Sequence, residues 1–165
     1  MTQTTDNLKA AFAGESQANR KYTYFAAKAD EEGYPQVARL FRAAAAAEAI
    51  HAYNHLKALG AIGSTAENLQ AAIAGETYEV ESMYPPFIDL AQQEGNRKAA
   101  TSFNWANEVE KVHAKLYQAA LDALSKEMEG EAYYVCPVCG YTHAGPMSER
   151  CPVCNTPAER FMRVE

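Results

Sequence analysis

Cysteine is absent from the first 135 residues of this 165-residue chain, and no long apolar run occurs anywhere in it. The densest apolar stretch, Ala43 to Ile50, is short and broken by Glu48, which excludes a membrane-spanning helix. Basic residues are in deficit, with 15 Lys and Arg against 21 Asp and Glu, a net charge of -6 and a pI of about 5.3. That is the wrong sign for a surface that tracks phosphates, so nucleic acid is not an expected partner. Met1 to Leu8 is polar, carries an acidic residue and lacks an apolar core, so no secretory signal is legible and a cytoplasmic location is the expectation.

Helix breakers are also scarce up to about residue 130, where Ala, Glu, Lys, Gln and Leu dominate. The few Gly and Pro positions divide this stretch into four expected helices: Thr5 to Glu32, Gln36 to Leu59, Ala66 to Glu94 and Asn96 to Glu129. Gly63-Ser64-Thr65 supplies an N-cap for the third helix, and Pro85-Pro86 predicts a kink just after Tyr84. From Glu131 the composition turns to Tyr, Val, Cys, Pro and Gly without a helical period. The expected organisation is thus a helical domain, 1–130, and a small domain, 131–165, too short to bury a sufficient core without a metal or similar staple.

Each helix has an apolar stripe at alternating three- and four-residue steps, the pattern of a bundle seam. The stripes run through Leu8, Phe12, Glu15, Asn19, Tyr22, Ala26 and Ala29; through Val37, Phe41, Ala44, Glu48, His51 and His55; through Leu69, Ile73, Glu76, Val80, Met83, Phe87 and Leu90; and through Phe103, Ala106, Glu110, His113, Tyr117, Ala120 and Leu124. Every seam therefore contains a glutamate. A buried carboxylate is costly unless it is paired, protonated or metallated, and four at one level repel each other unless cations lie between them. Glu48-x-x-His51 and Glu110-x-x-His113 each put an oxygen and an imidazole ligand on one helix face. Two such helices with two single-Glu helices make a di-iron or di-manganese carboxylate site. An internal repeat supports this: Ala13-Gly14-Glu15-Ser16 recurs 61 positions later as Ala74-Gly75-Glu76-Thr77, and Glu48-x-x-His51 recurs 62 positions later. The copies differ where Glu79 stands in place of Ala18, which would make the two metals inequivalent.

The cysteines form two knuckles, Cys136-Pro-Val-Cys139 and Cys151-Pro-Val-Cys154, with 11 residues between them. This spacing predicts a tetrahedral four-sulfur metal site rather than disulfides, and by itself it suits zinc as well as iron. The Cys-Pro-x-Cys-Gly-Tyr form, with Tyr133, Tyr134 and Phe161 nearby, resembles rubredoxin. Beside a di-iron bundle a redox-active iron has a use that zinc lacks.

The segments Phe12-Ala-Gly-Glu-Ser-Gln-Ala18 and Met83-Tyr-Pro-Pro-Phe87, the two Glu-x-x-His pairs and the paired-cysteine tail together resemble rubrerythrin over essentially the whole chain. The resemblance implies a mainly α fold, a ferritin-like four-helix bundle followed by a small rubredoxin-like metal-binding domain. It implies that Glu48 and Glu110 bridge two irons, that Glu15 is terminal on one, and that Glu76 and His113 hold the other. Glu79 and His51 would be the alternative ligands between which the first iron shifts on reduction. Tyr22 and Tyr84 would be the aromatic neighbours of the site, with core packing as their plain alternative. His55, Trp105 and the methionines read as packing or supporting residues. The implied activity is a non-haem di-iron peroxidase: hydrogen peroxide takes two electrons from the reduced pair, its O–O bond breaks and water results. The cysteine-bound iron then returns electrons singly from an external donor such as rubredoxin or an NAD(P)H-dependent reductase. Glu79 or a tyrosine would relay protons. Peroxide as the substrate follows from the resemblance, since the ligands alone would suit dioxygen equally. A ferroxidase and a non-catalytic module with a zinc-ribbon tail are the rival readings.

Chain reach bears on assembly. A two-fold relating the repeats between the metals needs antiparallel second and fourth helices, hence a crossover of about 30 Å for 20 helical residues. The linker Gly60 to Thr65, even fully extended, reaches only about 20 Å. The expectation is a homodimer in which the helical hairpin of one chain completes the site with the second hairpin of another, as in some rubrerythrins.

Overall fold

The computed structural model describes residues 2–125 and 130–165. The chain forms two compact units, Met1–Gly63 and Ser64–Glu165. The first is a hairpin of α1 (Gln3–Glu31) and α2 (Pro35–Ala58). Thr2 caps α1 by accepting from the Thr5 amide, and Gly33, at φ +80°, turns the chain into Pro35, the first residue of α2. The hairpin closes on small side chains: its buried positions are Ala26 and Ala29 on α1 and Ala38, Ala45 and Ala52 on α2. Asn19 Nδ2 donates to the Ala45 carbonyl at 2.7 Å, and Arg42 pairs with Asp30 at 2.7 Å.

The buried line of α2 therefore differs from the expected stripe by one residue. Ala38, Ala45 and Ala52, spaced by seven, are buried, whereas Val37 and His51 are exposed. Alanine gives a weak hydrophobic signal, yet it lets two helix backbones approach closely, and that is where the packing seam lies.

The second unit begins at Ser64, whose hydroxyl accepts from the Glu67 amide while the Glu67 carboxylate accepts from the Ser64 amide at 2.7 Å. Here α3 (Thr65–Tyr78) passes into a π-helical turn (Glu79–Met83), then α4 (Tyr84–Gln93) and, after Gly95, α5 (Arg97–Ala123). The third helix expected from the sequence is present as one unbroken helical run through α3, the π turn and α4, but its irregularity is that π turn rather than a kink after Tyr84. The irregularity precedes Tyr84, and Pro85 and Pro86 lie in the first turn of α4, where a missing amide donor costs little. The extra residue in the wide turn also shifts the packing face by one: Phe87 and Leu90 are exposed and Ala91 is buried. The fourth helix ends at Ala123 with Leu124 as its cap, short of the expected Glu129. Residues 126–129, over which it was expected to continue, lie outside the described residues.

The tail is a three-stranded antiparallel sheet in the order β2 (Thr142–Ala144), β1 (Tyr133–Val135), β3 (Met162–Val164). Val135 pairs with Thr142 on one side and Met162 on the other. Cys136 and Cys151 are among the tail's few buried residues, with Gly145 and Thr156.

Candidate metal centres

The two cysteine knuckles fold alike. In the first, the Gly140 amide donates to the Cys136 carbonyl at 3.0 Å and the Cys136 amide to the Tyr141 carbonyl at 2.9 Å. In the second, Asn155 donates to Cys151 at 2.9 Å and Cys151 to Thr156 at 2.8 Å. The residue after each second cysteine turns left-handed, Gly140 at φ +84° and Asn155 at φ 61°, which are residue types that tolerate this conformation. The result brings Cys136 and Cys154 sulfurs to 3.5 Å, and likewise Cys139 and Cys151. Around a tetrahedral ion with metal–sulfur bonds of about 2.3 Å, ligand sulfurs lie about 3.8 Å apart, so the four thiols fit one ion with little movement.

Burial pushes the Cys136 thiol up, but the amides of Cys139 and Val138 with the side chains of Thr156 and Cys154 outweigh it and bring it down to about 6. Burial holds Cys139 and Cys151 above their ordinary value. A cluster in which one thiolate suppresses ionisation of the others is relieved by a cation. Thr156, itself buried, places its hydroxyl 3.0 Å from Cys154 Sγ.

In the first unit Glu15 of α1 and Glu48 and His51 of α2 bring one ligand atom each to within 4.8 Å of one another. His51 Nδ1 stands 2.8 Å from Glu48 Oε2, and its ring is 54% exposed. The Asn19–Ala45 hydrogen bond lies one turn from both glutamates and fixes their helices in register. In the second unit Glu76 of α3 and Glu110 and His113 of α5 form an equivalent group, again within 4.8 Å. His113 Nδ1 is 2.7 Å from Glu110 Oε2 and 4.0 Å from Glu76 Oε1.

Burial, then the Glu110 charge, holds Glu76 above the usual carboxylate range, and the same two causes raise Glu79. The hydrogen bond to Glu110 raises His113 against the opposing effect of burial. Each triad offers two carboxylates and an imidazole around one point, and in the second the Glu110 charge adds to burial in disfavouring the charged form of Glu76. A dication of iron's kind suits both the charge and the donor types.

The remaining expected residues fall around these groups. Glu79, first in the π turn, is outside the three-ligand group of the second unit, although it feels the charges of Glu110 and His113. Burial and the charges of Glu79, Glu110 and Glu76 raise the Tyr84 hydroxyl, and its ring lies 6.3 Å from that of Phe103. Tyr22 stacks in an aromatic group with Phe25 and Phe41, at centroid distances of 6.3 and 6.1 Å. His55 sits in the last turn of α2, and Trp105 is half-buried on α5. Two threonines went unnoticed in the sequence: Thr156 beside Cys154, and Thr142, whose hydroxyl is 2.9 Å from His113 Nε2. Neither carries a spacing signal, because each acts across a turn or between a strand and a helix.

Mainly helical architecture, paired groups of two glutamates and a histidine, and an appended four-cysteine group define a non-haem di-iron carboxylate protein with a rubredoxin-type iron site. The family model for rubrerythrin matches residues 6–121, and that for the rubrerythrin rubredoxin-like domain matches residues 134–162. Rubrerythrin-2 of Clostridium acetobutylicum is 38% identical over 96% of this chain and 95% of its own length. Nigerythrin of Nitratidesulfovibrio vulgaris is 42% identical over 96% and 85%. A solved structure of fully reduced, all-ferrous nigerythrin aligns with a TM-score of 0.59 at 41% identity, covering 99% of this chain and 87% of that one. The chain belongs to the rubrerythrin family, with a ferritin-like bundle and a rubredoxin-like domain. No described helix is long and apolar enough to cross a membrane.

Proposed function

We propose that this di-iron oxidative-stress protein is a peroxidase that reduces hydrogen peroxide to water and is recharged one electron at a time through its cysteine-bound iron. The observation that carries the reading is the presence, in one chain, of two matching triads of two glutamates and a histidine together with a four-cysteine group. Bound iron supplies the two electrons that peroxide reduction requires and a template for the oxygen atoms. The protein's part is geometry and protons. Glu15, Glu48, Glu76, Glu110 and His113 would hold the irons, Glu48 and Glu110 as shared ligands and the others each on one metal, and Glu79 and His51 would be the exchangeable ligands. The exposure of the His51 ring supports that exchange, since its hydrogen-bond partner is Glu48 on the preceding turn of its own helix, at 2.8 Å.

Tyr84 keeps its proton well beyond neutral pH, because burial and three nearby carboxylates disfavour the phenolate. It is therefore a hydrogen-bond donor beside Glu79, whose own raised proton affinity suits it to pass a proton to oxygen. Tyr22 takes the corresponding place in the first hairpin. The functional domains in this reading are 1–130 and 131–165, and the setting is cytoplasmic. The external donor is a rubredoxin or an NAD(P)H-dependent reductase.

The working form in this proposal is a homodimer in which the hairpin carrying Glu15, Glu48 and His51 meets the Glu76, Glu110 and His113 group of a second copy. The short linker supports this, as do the exposed apolar residues of the hairpin, among them Leu40, Ile50 and Tyr53. A solved structure with all six ligands drawn from one chain would overturn it.

The activity is tested anaerobically. The purified protein is reduced chemically, limiting peroxide or dioxygen is added in separate runs, and the visible band of the ferric four-cysteine site is followed. Much faster recovery with peroxide is expected. Faster recovery with dioxygen points to an oxidase or ferroxidase, and a protein without a visible band has zinc in its tail and no internal electron relay.

A further inference from the structure

The second unit holds a contact that ties its two metal-binding groups together. On α5, Val109 and His113 are one turn apart, and on the tail Gly140 and Thr142 are two residues apart on one run of chain. Val109 Cγ1 lies 3.8 Å from where a Gly140 Cβ would stand, and His113 Nε2 lies 2.9 Å from Thr142 Oγ1. Thr142 in turn donates its hydroxyl proton to the Gly140 carbonyl at 3.1 Å. With that proton committed, the hydroxyl oxygen accepts from His113 Nε2–H. This leaves Nδ1, the atom facing Glu110 and Glu76, as the nitrogen available to a metal.

We infer that Thr142 is the positioning residue of His113: its hydroxyl fixes the tautomer and ring orientation that present Nδ1 to the iron. The inference deepens the di-iron reading and rests on it. It joins the first cysteine knuckle to the bundle ligand through Cys139, Gly140, Thr142 and His113, a continuous run of covalent and hydrogen bonds. It also separates the two histidines. His51, which interacts with Glu48 through Nδ1, has a ring 54% exposed, against 25% for His113. His113 thus has a hydrogen-bond partner on each ring nitrogen, Glu110 on Nδ1 and Thr142 on Nε2.

The test compares full-length wild type, Thr142→Val and Thr142→Ser. Valine keeps the shape and suits a strand, whereas serine keeps the hydroxyl. Each protein is loaded with zinc at the bundle, its affinity is measured by chelator competition, and exchange of the His113 Nε2 proton with water is followed by nitrogen-15 NMR. Loss of an outer partner of a metal-bound histidine typically weakens binding by about 10–100-fold. Thr142→Val should show that loss together with fast exchange of the ring proton, and Thr142→Ser should restore both. Equal affinity and equal proton protection in all three proteins would overturn the inference. So would a Thr142→Ser protein as impaired as Thr142→Val, since packing of the methyl group would then be what matters. A wild type that binds no metal at the bundle would instead remove the di-iron reading, and this inference with it. The visible band of the cysteine-bound iron in the iron-loaded forms reports that the tail has folded in every variant.

Discussion

Replacing Glu76 by Gln should change stability in opposite directions with and without bundle metal. Ligand oxygens of Glu76 and Glu110 lie within 4.8 Å of one another, and their side chains are 18% and 17% exposed. Two like charges at that distance repel by about 0.9 kcal/mol in a water-like dielectric and about 3.5 kcal/mol at an effective dielectric of about 20. Partial exposure places the pair toward the lower figure, and Glu76 also attracts His113 while the latter is charged. At a pH above the raised folded value of His113, where that attraction is gone, the variant stripped of bundle metal should be more stable by about 1 kcal/mol. For a chain of this size that raises Tm by about 2–4 °C. With the metal bound, the variant lacks one anionic ligand. A tenfold loss of affinity at saturating metal removes about 1.4 kcal/mol of stability, so its Tm should fall below wild type. Thermal unfolding followed by circular dichroism, with and without bundle metal, reads both signs. A metal-free Glu76→Gln protein less stable than wild type would refute the argument, for it would mean that the carboxylates do not repel.

The same groups set a pH dependence. Burial and neighbouring charge raise Glu76 and Glu79 above 4.5, so the destabilisation they cause is absent below that pH and sets in as pH rises through their folded values. His113 is raised above 6.5 by Glu110, so the stability it contributes is present below that pH and lost above its folded value. The metal-free protein should therefore melt higher at about pH 5 than at about pH 8, and iron loading should reverse the order because the ligands must lose protons; a metal-free Tm that rises over this range would contradict the expectation. Thr156→Val should lower the reduction potential of the cysteine-bound iron, since a hydroxyl beside Cys154 favours the more negatively charged ferrous state; about 1 kcal/mol of differential hydrogen bonding corresponds to about 40 mV, measurable by spectroelectrochemistry. Ser64→Ala removes the cap on α3 and should cost about 1 kcal/mol in thermal unfolding, with no change in the visible spectrum.

What the sequence disclosed followed the strength of the physical cost involved. Four glutamates in apolar stripes and four cysteines in two knuckles are expensive unless a cation is present, so their chemistry was legible from residue type and spacing. The ends of α1 and α2 were also readable, because Gly33 and Pro35 act through local backbone geometry. The π turn was not. Pro85-Pro86 announced an irregularity, but the residue that absorbs it lies upstream in Glu79–Met83, and a periodic stripe cannot reveal an inserted residue until the next helix is seen to pack one position out of phase. The Ala38, Ala45 and Ala52 seam was obscured for a different reason: its advantage is close approach, which hydrophobicity does not measure. Thr142 and Thr156 matter only through what they touch.

These omissions all bear on one question, namely what distinguishes two copies of the same hairpin. The repeat preserves the ligand types, with Glu15, Glu48 and His51 answered by Glu76, Glu110 and His113. It does not preserve their supports. The second copy has the π turn that introduces Glu79, a Tyr84 whose proton is held by surrounding carboxylates, and a histidine anchored to the tail by Thr142. The first has a histidine ring more than half exposed and a hairpin joined by alanines. In the reading proposed above, two metals held by such a set would meet similar donors but different supports, one histidine tied to the tail and the other more than half exposed. A peroxidase of the kind proposed, accepting electrons singly and delivering them in pairs, would have a use for that inequality, because one iron could change its ligand while the other kept its geometry.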